Sequence, residues 1–248
     1  MRPAPAGGGL DPPLSVAALW RDTVAVALRN SELLGIVAAA FLFLPQLVAA
    51  ELQPVAGRTP HSPSLVPLLA VALAGLVGQG VIALIVHDDL SGGQRTLREA
   101  LAQAAVRLPR LFAGNLAAGL AIGIGLVALI IPGLWLLGRL AAVTPIIMAE
   151  GRDTVGSLER SWALSEGRAW PAAVWMTLNL VLLLSLLLTA ALVGAALQAT
   201  ATLAGGEALG KAIVNLALAA VSAGAVALLN VAQAVLYRHL LAEAGAAR

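Results

Sequence analysis

The chain reads as all-α: a polytopic membrane bundle of six transmembrane helices, with amphipathic interfacial helices before the odd-numbered spans and a short, kinked fourth span. Three observations predict this. Of its 248 residues, 60% are apolar and only 11% charged, against roughly 45–50% and 25% in soluble domains. Five runs of at least 18 residues (33–50, 65–86, 111–131, 170–197 and 213–236) contain no Asp, Glu, Lys or Arg. About 20 apolar residues suffice for a helix to cross a bilayer. Finally, the basic residues between these runs are distributed very unequally, the asymmetry that orients membrane proteins.

The elements follow in order. Residues 1–13, rich in Pro and Gly and without an apolar core, read as a disordered N-terminal tail and not as a signal peptide. Residues 15–30 have helical period, with Val16, Trp20, Val24 and Leu28 on one stripe and Asp22 and Arg29 opposite. The first span, 33–50, carries Pro45, which predicts a kink. After the second span, residues 96–110 repeat the amphipathic pattern, Leu97, Leu101, Ala105 and Leu108 lying against Glu99, Gln103 and Arg110. The third span, 111–131, holds Gly119 and Gly123, a GxxxG spacing suited to close helix contact. Ile131-Pro132-Gly133 reads as the connection to a weak fourth span, 134–149, interrupted by Arg139 and Pro145. Residues 154–168 form the third amphipathic lead-in, Val155, Leu158 and Trp162 opposing Glu159, Arg160 and Glu166. Two long spans complete a single domain over 14–240, followed by a C-terminal tail at 241–248. The three lead-ins align as a threefold repeat of interfacial helix plus helical hairpin, over 14–90, 91–150 and 151–240.

With six spans, Arg2, Arg21, Arg29, Arg95, Arg98, Arg107, Arg110, Arg152, Arg160, Arg168, Arg238 and Arg248 share one side, and only Arg58 and Lys211 the other. The positive side is cytoplasmic, so both termini are expected there. Dropping the weak fourth span would destroy this asymmetry. Trp20, Trp162, Trp170 and Tyr237 are then expected at the inner interface and Trp135 at the outer one.

Catalytic and cofactor chemistry find little purchase. No Cys is present, which removes disulfides and thiolate metal sites. Asp88 to Arg95 contains LSGGQ, and Gly205 to Ala212 fits GxxxxGK. A nucleotide site needs a strand–loop–helix context and a Ser/Thr after the Lys, where this chain has Ala212. Both read as Gly-rich turns. The histidines His61, His87 and His239 stand apart, and no span holds an acid, so no nucleophile–base pair or metal cluster emerges. No basic stripe with interleaved aromatics points to nucleic acid. The expectation is a non-enzyme with no cofactor, no nucleotide and no nucleic-acid partner.

Arg139 is the one charge within a span. Burying it there costs about 2.5–3.5 kcal/mol on insertion scales. It is either a contact for an anionic group such as a lipid phosphate, or is bonded to Asn115, Asn179, Asn230, Gln79 or carbonyls freed by Pro145.

The order Ile131-Pro132-Gly133-Leu134, Arg139, Pro145, Glu150, then Leu158, Arg160-Ser161, Leu164 and Gly167 resembles the YciC-like bacterial inner-membrane proteins. Their relatives include the membrane domain attached to some glycerophosphodiester phosphodiesterases. The resemblance implies a multi-pass protein of the bacterial cytoplasmic membrane, without catalysis of its own. Within it, Arg139 and Arg160 are candidate contacts for an anionic ligand or lipid. Pro132, Gly133, Pro145, Glu150, Ser161 and Gly167 are candidate structural positions, and an Arg139–Glu150 ion pair would require a break in the fourth span. The function expected is binding of lipid or a partner, a second copy included, in envelope homeostasis. The alternative is a transporter or flippase for a lipid-like or small anionic solute, with Arg139 on its pathway.

Overall fold

The computed structural model describes residues 14–52, 65–203 and 206–246. The tail at 1–13, Arg58, His61, Gly205 and Arg248 lie outside them. Every regular element among the described residues is helical, and six helical segments are long and apolar enough to cross a membrane. The chain is a multi-pass integral membrane protein.

Helix α1 (Val16–Arg29) begins at Ser15, whose hydroxyl accepts from the Ala18 N–H at 3.1 Å. It ends at Asn30, which donates from its side chain to the Val26 carbonyl. The first span follows as α2 (Ser31–Ala38), a π-turn (Ala39–Phe43) and α3 (Leu44–Leu52). Pro45 explains the wide turn: it has no N–H for the Phe41 carbonyl, and its ring pushes that turn open. Opened this way, the π-turn approaches α4 (Leu65–Ser91) so closely that a Cβ on Gly78 would lie 3.0 Å from that of Phe41.

Helix α4 stops in a Schellman motif, with Gly92 at φ +76° and the Gly93 N–H bonded to the Asp88 carbonyl at 2.9 Å. Helix α5 (Leu97–Ala128) starts in a capping box between Thr96 and Glu99. The LSGGQ letters are therefore a helix stop and the approach to a helix start. Contrary to expectation, residues 96–110 are not a separate interfacial helix. Pro109 is accommodated inside one continuous 32-residue helix, about 48 Å long.

The α5–α6 connection is the single extended residue Leu129, and not Ile131-Pro132-Gly133. Pro132 lies in the first turn of α6 (Ile130–Leu140), where its missing N–H is one of the groups without a helical partner anyway. The fourth span does break as expected. Ala141 and Ala142 separate α6 from α7 (Val143–Glu150), and Pro145 sits in the first turn of α7. Helix α8 (Thr154–Leu164) follows, then a turn with Gly167 at φ +73°, then the long hairpin of α9 (Ala169–Leu203) and α10 (Glu207–Ala246).

The weakest span is the best buried. Val143 to Met148 are all buried, and 56% of the fourth span's apolar window is enclosed, against 6% for α9. Ile146, Ile147 and Met148 form the core with Val81, Ile82 and Leu84 of α4, Leu111 of α5 and Val235 and Leu236 of α10. Lipid tails are as apolar as these side chains, so close packing and interhelical hydrogen bonds hold such a core. Gly114 admits Val143 and Ile147; Gly125 meets Gly133; Gly138 lies on the α9 backbone, where a Cβ would stand 2.4 Å from the Ala169 carbonyl oxygen. The GxxxG pair is not the contact: a Cβ on Gly119 or Gly123 would meet nothing within 4 Å. Leu111, Gly114, Ala118 and Gly125 form the buried face of α5 instead.

Helices α1 and α8 each present three faces. Leu19, Thr23 and Val26 of α1, and Ser157, Ser161 and Leu164 of α8, are buried in the bundle. Trp20 and Leu28, and Val155 and Trp162, remain exposed on neighbouring stripes, with Arg21 and Glu159 exposed beyond them. At the same end of the bundle, Asp22 of α1 meets His239 at 2.9 Å, Arg29 meets Asp89 at 2.7 Å, Arg168 pairs with Glu243, and Arg238 donates to the Leu90 carbonyl. The ends expected on one side are gathered on one side.

Gly138→Ala is expected to cost about 1–3 kcal/mol, since the added methyl meets backbone. Gly119→Ala is expected to be neutral or to gain up to about 1 kcal/mol from helix propensity. Reversible unfolding in detergent micelles distinguishes them, and equal stabilities would remove the α6–α9 contact from the account.

Candidate functional site

The polar residues of this bundle converge on the two ends of α7 and the helix beside it. A short helix inside a membrane leaves carbonyls at its C-terminus with no helical partner and no water to take their place. Here α5 supplies the partners. Arg107 donates to the Ile147 carbonyl at 2.9 Å and to the Met148 carbonyl, Gln103 donates to Met148 at 3.2 Å, and Arg110 reaches the Gly151 carbonyl at 3.1 Å. Gly151 closes the helix at φ +70°, where a Cβ would strike Arg107 at 2.9 Å. Cations at a helix C-terminus are also favoured by its dipole. Asn115, the next polar residue along α5, hydrogen-bonds Thr144 at 3.1 Å in the first turn of α7.

Arg139 lies at the other end of the break. Its Nη1 donates to the Trp162 carbonyl at 2.9 Å, in the last turn of α8, a carbonyl that also accepts from the Ser165 hydroxyl at 3.1 Å. The guanidinium stands 4.9 Å from the Trp135 ring centre and 4.6 Å from that of Trp162, and the two indoles meet edge to face at 5.2 Å. In return, Ser161 donates to the Arg139 carbonyl at 2.7 Å, which the broken helix leaves free. Each helix end thus caps the other. Neither Asn115, Asn179, Asn230 nor Gln79 is a partner of Arg139. Asn179 bonds back to Trp175 in its own helix, and Gln79 pairs with Gln233 across α4 and α10. The expected separation of Trp135 and Trp162 onto opposite interfaces fails as well. An 11-residue α6 is only about 16 Å long, so a helix packed against its inner end reaches the indole in its middle.

Glu150, the last residue of α7, is the third node. Its carboxylate takes Arg152 Nε at 2.6 Å, Arg160 Nε at 3.3 Å and the Tyr237 hydroxyl at 3.0 Å. The break does not bring Arg139 to Glu150; Arg139 bonds the Trp162 carbonyl, while Glu150 takes Arg152 and Arg160. Arg160, a candidate anion contact, is engaged with this carboxylate. Tyr237 is buried within the bundle and hydrogen-bonded to Glu150. Trp175, which sequence reasoning passed over, is 1% exposed, donates to the Ala232 carbonyl and meets Trp20 edge to face at 6.4 Å. Its four-residue spacing from Asn179 on an apolar helix gives no signal of its depth.

Two cavities lie apart from Arg139. One, of 370 Å³, is an apolar groove between α9 and α10 bordered by Leu182, Thr189, Gly194 and Val214. The other, of 190 Å³, is polar on one wall and lies at the α4–α5 turn. No cluster of His, Asp and Glu able to hold a metal occurs among the described residues.

Arg139→Lys keeps the charge but loses the planar fork shared between two indoles, and is expected to cost about 0.5–2 kcal/mol with a shift in tryptophan fluorescence. A double-mutant cycle of Glu150→Gln with Tyr237→Phe is expected to return a coupling of about 1.5–3 kcal/mol, the value of a hydrogen bond to a charged group. A coupling near zero would separate Tyr237 from the Glu150 node. No family model, curated protein or solved structure matches the chain, and its function is to be argued from this geometry.

Proposed function

We propose that this is a non-enzymatic protein of the bacterial cytoplasmic membrane, related to the YciC-like proteins, that binds phospholipid at the inner interface in support of the envelope. Both termini are cytoplasmic. The observation that carries the reading is the three-faced build of α1 and α8. One face of each is packed on the bundle, one is charged, and the face between presents Trp20 and Leu28, or Val155 and Trp162, to the surroundings. Such a helix lies along the lipid surface with its apolar side among the acyl chains. Arginines at that depth attract anionic head groups by roughly 1 kcal/mol each.

The engagement of Arg139 speaks against the transporter reading. A guanidinium on a solute pathway needs an open cavity in front of it. This one is bonded to the end of α8 and lies against two indole rings.

Native mass spectrometry after gentle extraction provides the test. The wild type is expected to retain phospholipid, Arg139→Ala to retain as much, and Trp20→Ser with Leu28→Ser to retain less. Loss of lipid from Arg139→Ala alone would move the binding site to Arg139 and revive the transporter.

A further inference from the structure

The 190 Å³ cavity at the α4–α5 turn is a chemically mixed hollow that the tertiary architecture leaves without a role. Its polar wall is Asn30, Asp88, Asp89, Arg95 and Thr96; its apolar wall is Leu33, Ile85, Leu97 and Ala100. Three elements meet there: the start of α2, the end of α4 and the capped start of α5. The LSGGQ turn forms its floor. Gly93 is required at that point, because a Cβ there would lie 2.6 Å from the Asp88 carboxylate.

Two carboxylates, those of Asp88 and Asp89, and one guanidinium, that of Arg95, line this hollow. Arg95 Nη1 pairs with Asp88 Oδ1 at 3.1 Å, and Arg29, from the rim, pairs with Asp89 Oδ2 at 2.7 Å. Each pair uses one oxygen and one nitrogen. A guanidinium has five N–H donors and a carboxylate two acceptor oxygens, so capacity of both kinds is left over. A purely anionic ligand would be opposed by the two carboxylates, and a purely cationic one by Arg95. A ligand bearing a phosphate and an ammonium together meets both kinds of charge.

The apolar wall indicates what is attached to that head group. Leu33 is 40% exposed and leads to Ile36 (50% exposed), then Ala40, Leu44 and Val48. This is a continuous outward-facing apolar stripe running from the cavity along the first span. A free aminophosphate has no use for the stripe; a lipid's acyl chain does.

We infer that the cavity is a head-group site for an aminophospholipid of the phosphatidylethanolamine type, with Asp88 and Asp89 receiving the primary ammonium, Arg95 and Arg29 the phosphate, and an acyl chain on the Leu33–Val48 stripe. The inference rests on the lipid-binding reading above and names the lipid and its place.

The test uses the purified full chain, equilibrated with equimolar phosphatidylethanolamine, phosphatidylglycerol and phosphatidylcholine, and native mass spectrometry of what is retained. The expected result is a preference for phosphatidylethanolamine of about tenfold over each competitor, equivalent to one charge-assisted hydrogen bond. Phosphatidylglycerol lacks the ammonium, and phosphatidylcholine lacks its N–H donors. Asp89→Asn and Arg95→Gln are each expected to abolish the preference without abolishing retention. A wild type that retains lipid without this preference overturns the proposal and leaves the lipid-binding reading standing. Variants that keep the preference overturn the site. A wild type that retains no phospholipid overturns both readings together.

Discussion

The carbonyls at the end of α7 are the constraint on which the rest of this bundle depends. A helix of eight residues, the first six of them buried, cannot leave backbone groups bare in a medium that offers no hydrogen bonds. Arg107, Gln103 and Arg110 resolve this, and in doing so they fix α5. Their reach to α7 requires the lead-in to continue in helical register with the third span, so the interfacial helix expected there is absorbed into one rod. With that rod in place, Gly114 and Gly125 face α7 and α6, and the remaining helices close around them.

The same logic operates once more, with the partners exchanged. The break that frees α7 also frees the carbonyls of α6, and the end of α8 has its own. Arg139 and Ser161 satisfy one another's helices across this junction. A charge that looked like a site for something else is thereby used within the fold, with the Trp135 and Trp162 rings both beside it. Charged residues inside membranes are expensive, and here the expense is offset by two helix ends that would otherwise go uncapped.

Much of this was legible in the sequence. Six spans, the shared end of the arginines, the break at Pro145 and the bend from Pro45 follow from charge-free run length, charge asymmetry and the missing proline N–H. The Gly-rich turn at LSGGQ follows from the chemistry that its surroundings lack. What stayed hidden was pairing. Gly119 and Gly123 have the spacing of a contact motif but lie on a face that meets no helix, while Gly114 and Gly125, spaced irregularly, make the contacts. Trp135 was assigned to the outer surface by counting residues, which cannot register that α8 packs against α6. Glu150 could be singled out, but not its partners, because Tyr237 lies 87 residues away in sequence. Periodicity finds the faces of a helix, and only tertiary packing decides which face meets protein.

The order in which these partners occur along the chain bears on how the fourth span enters the bilayer. Its three caps on α5 precede it in sequence, but the Trp162 carbonyl and Ser165 come after it. During synthesis, α6 and α7 therefore emerge with Arg139 uncompensated, and the insertion machinery meets a segment that is broken, charged and only marginally apolar. That segment settles when α8 arrives, Trp162 and Ser165 following Arg139 by 23 and 26 residues. Until then the α5–α6 hairpin is held by α5 and the Leu129 turn alone.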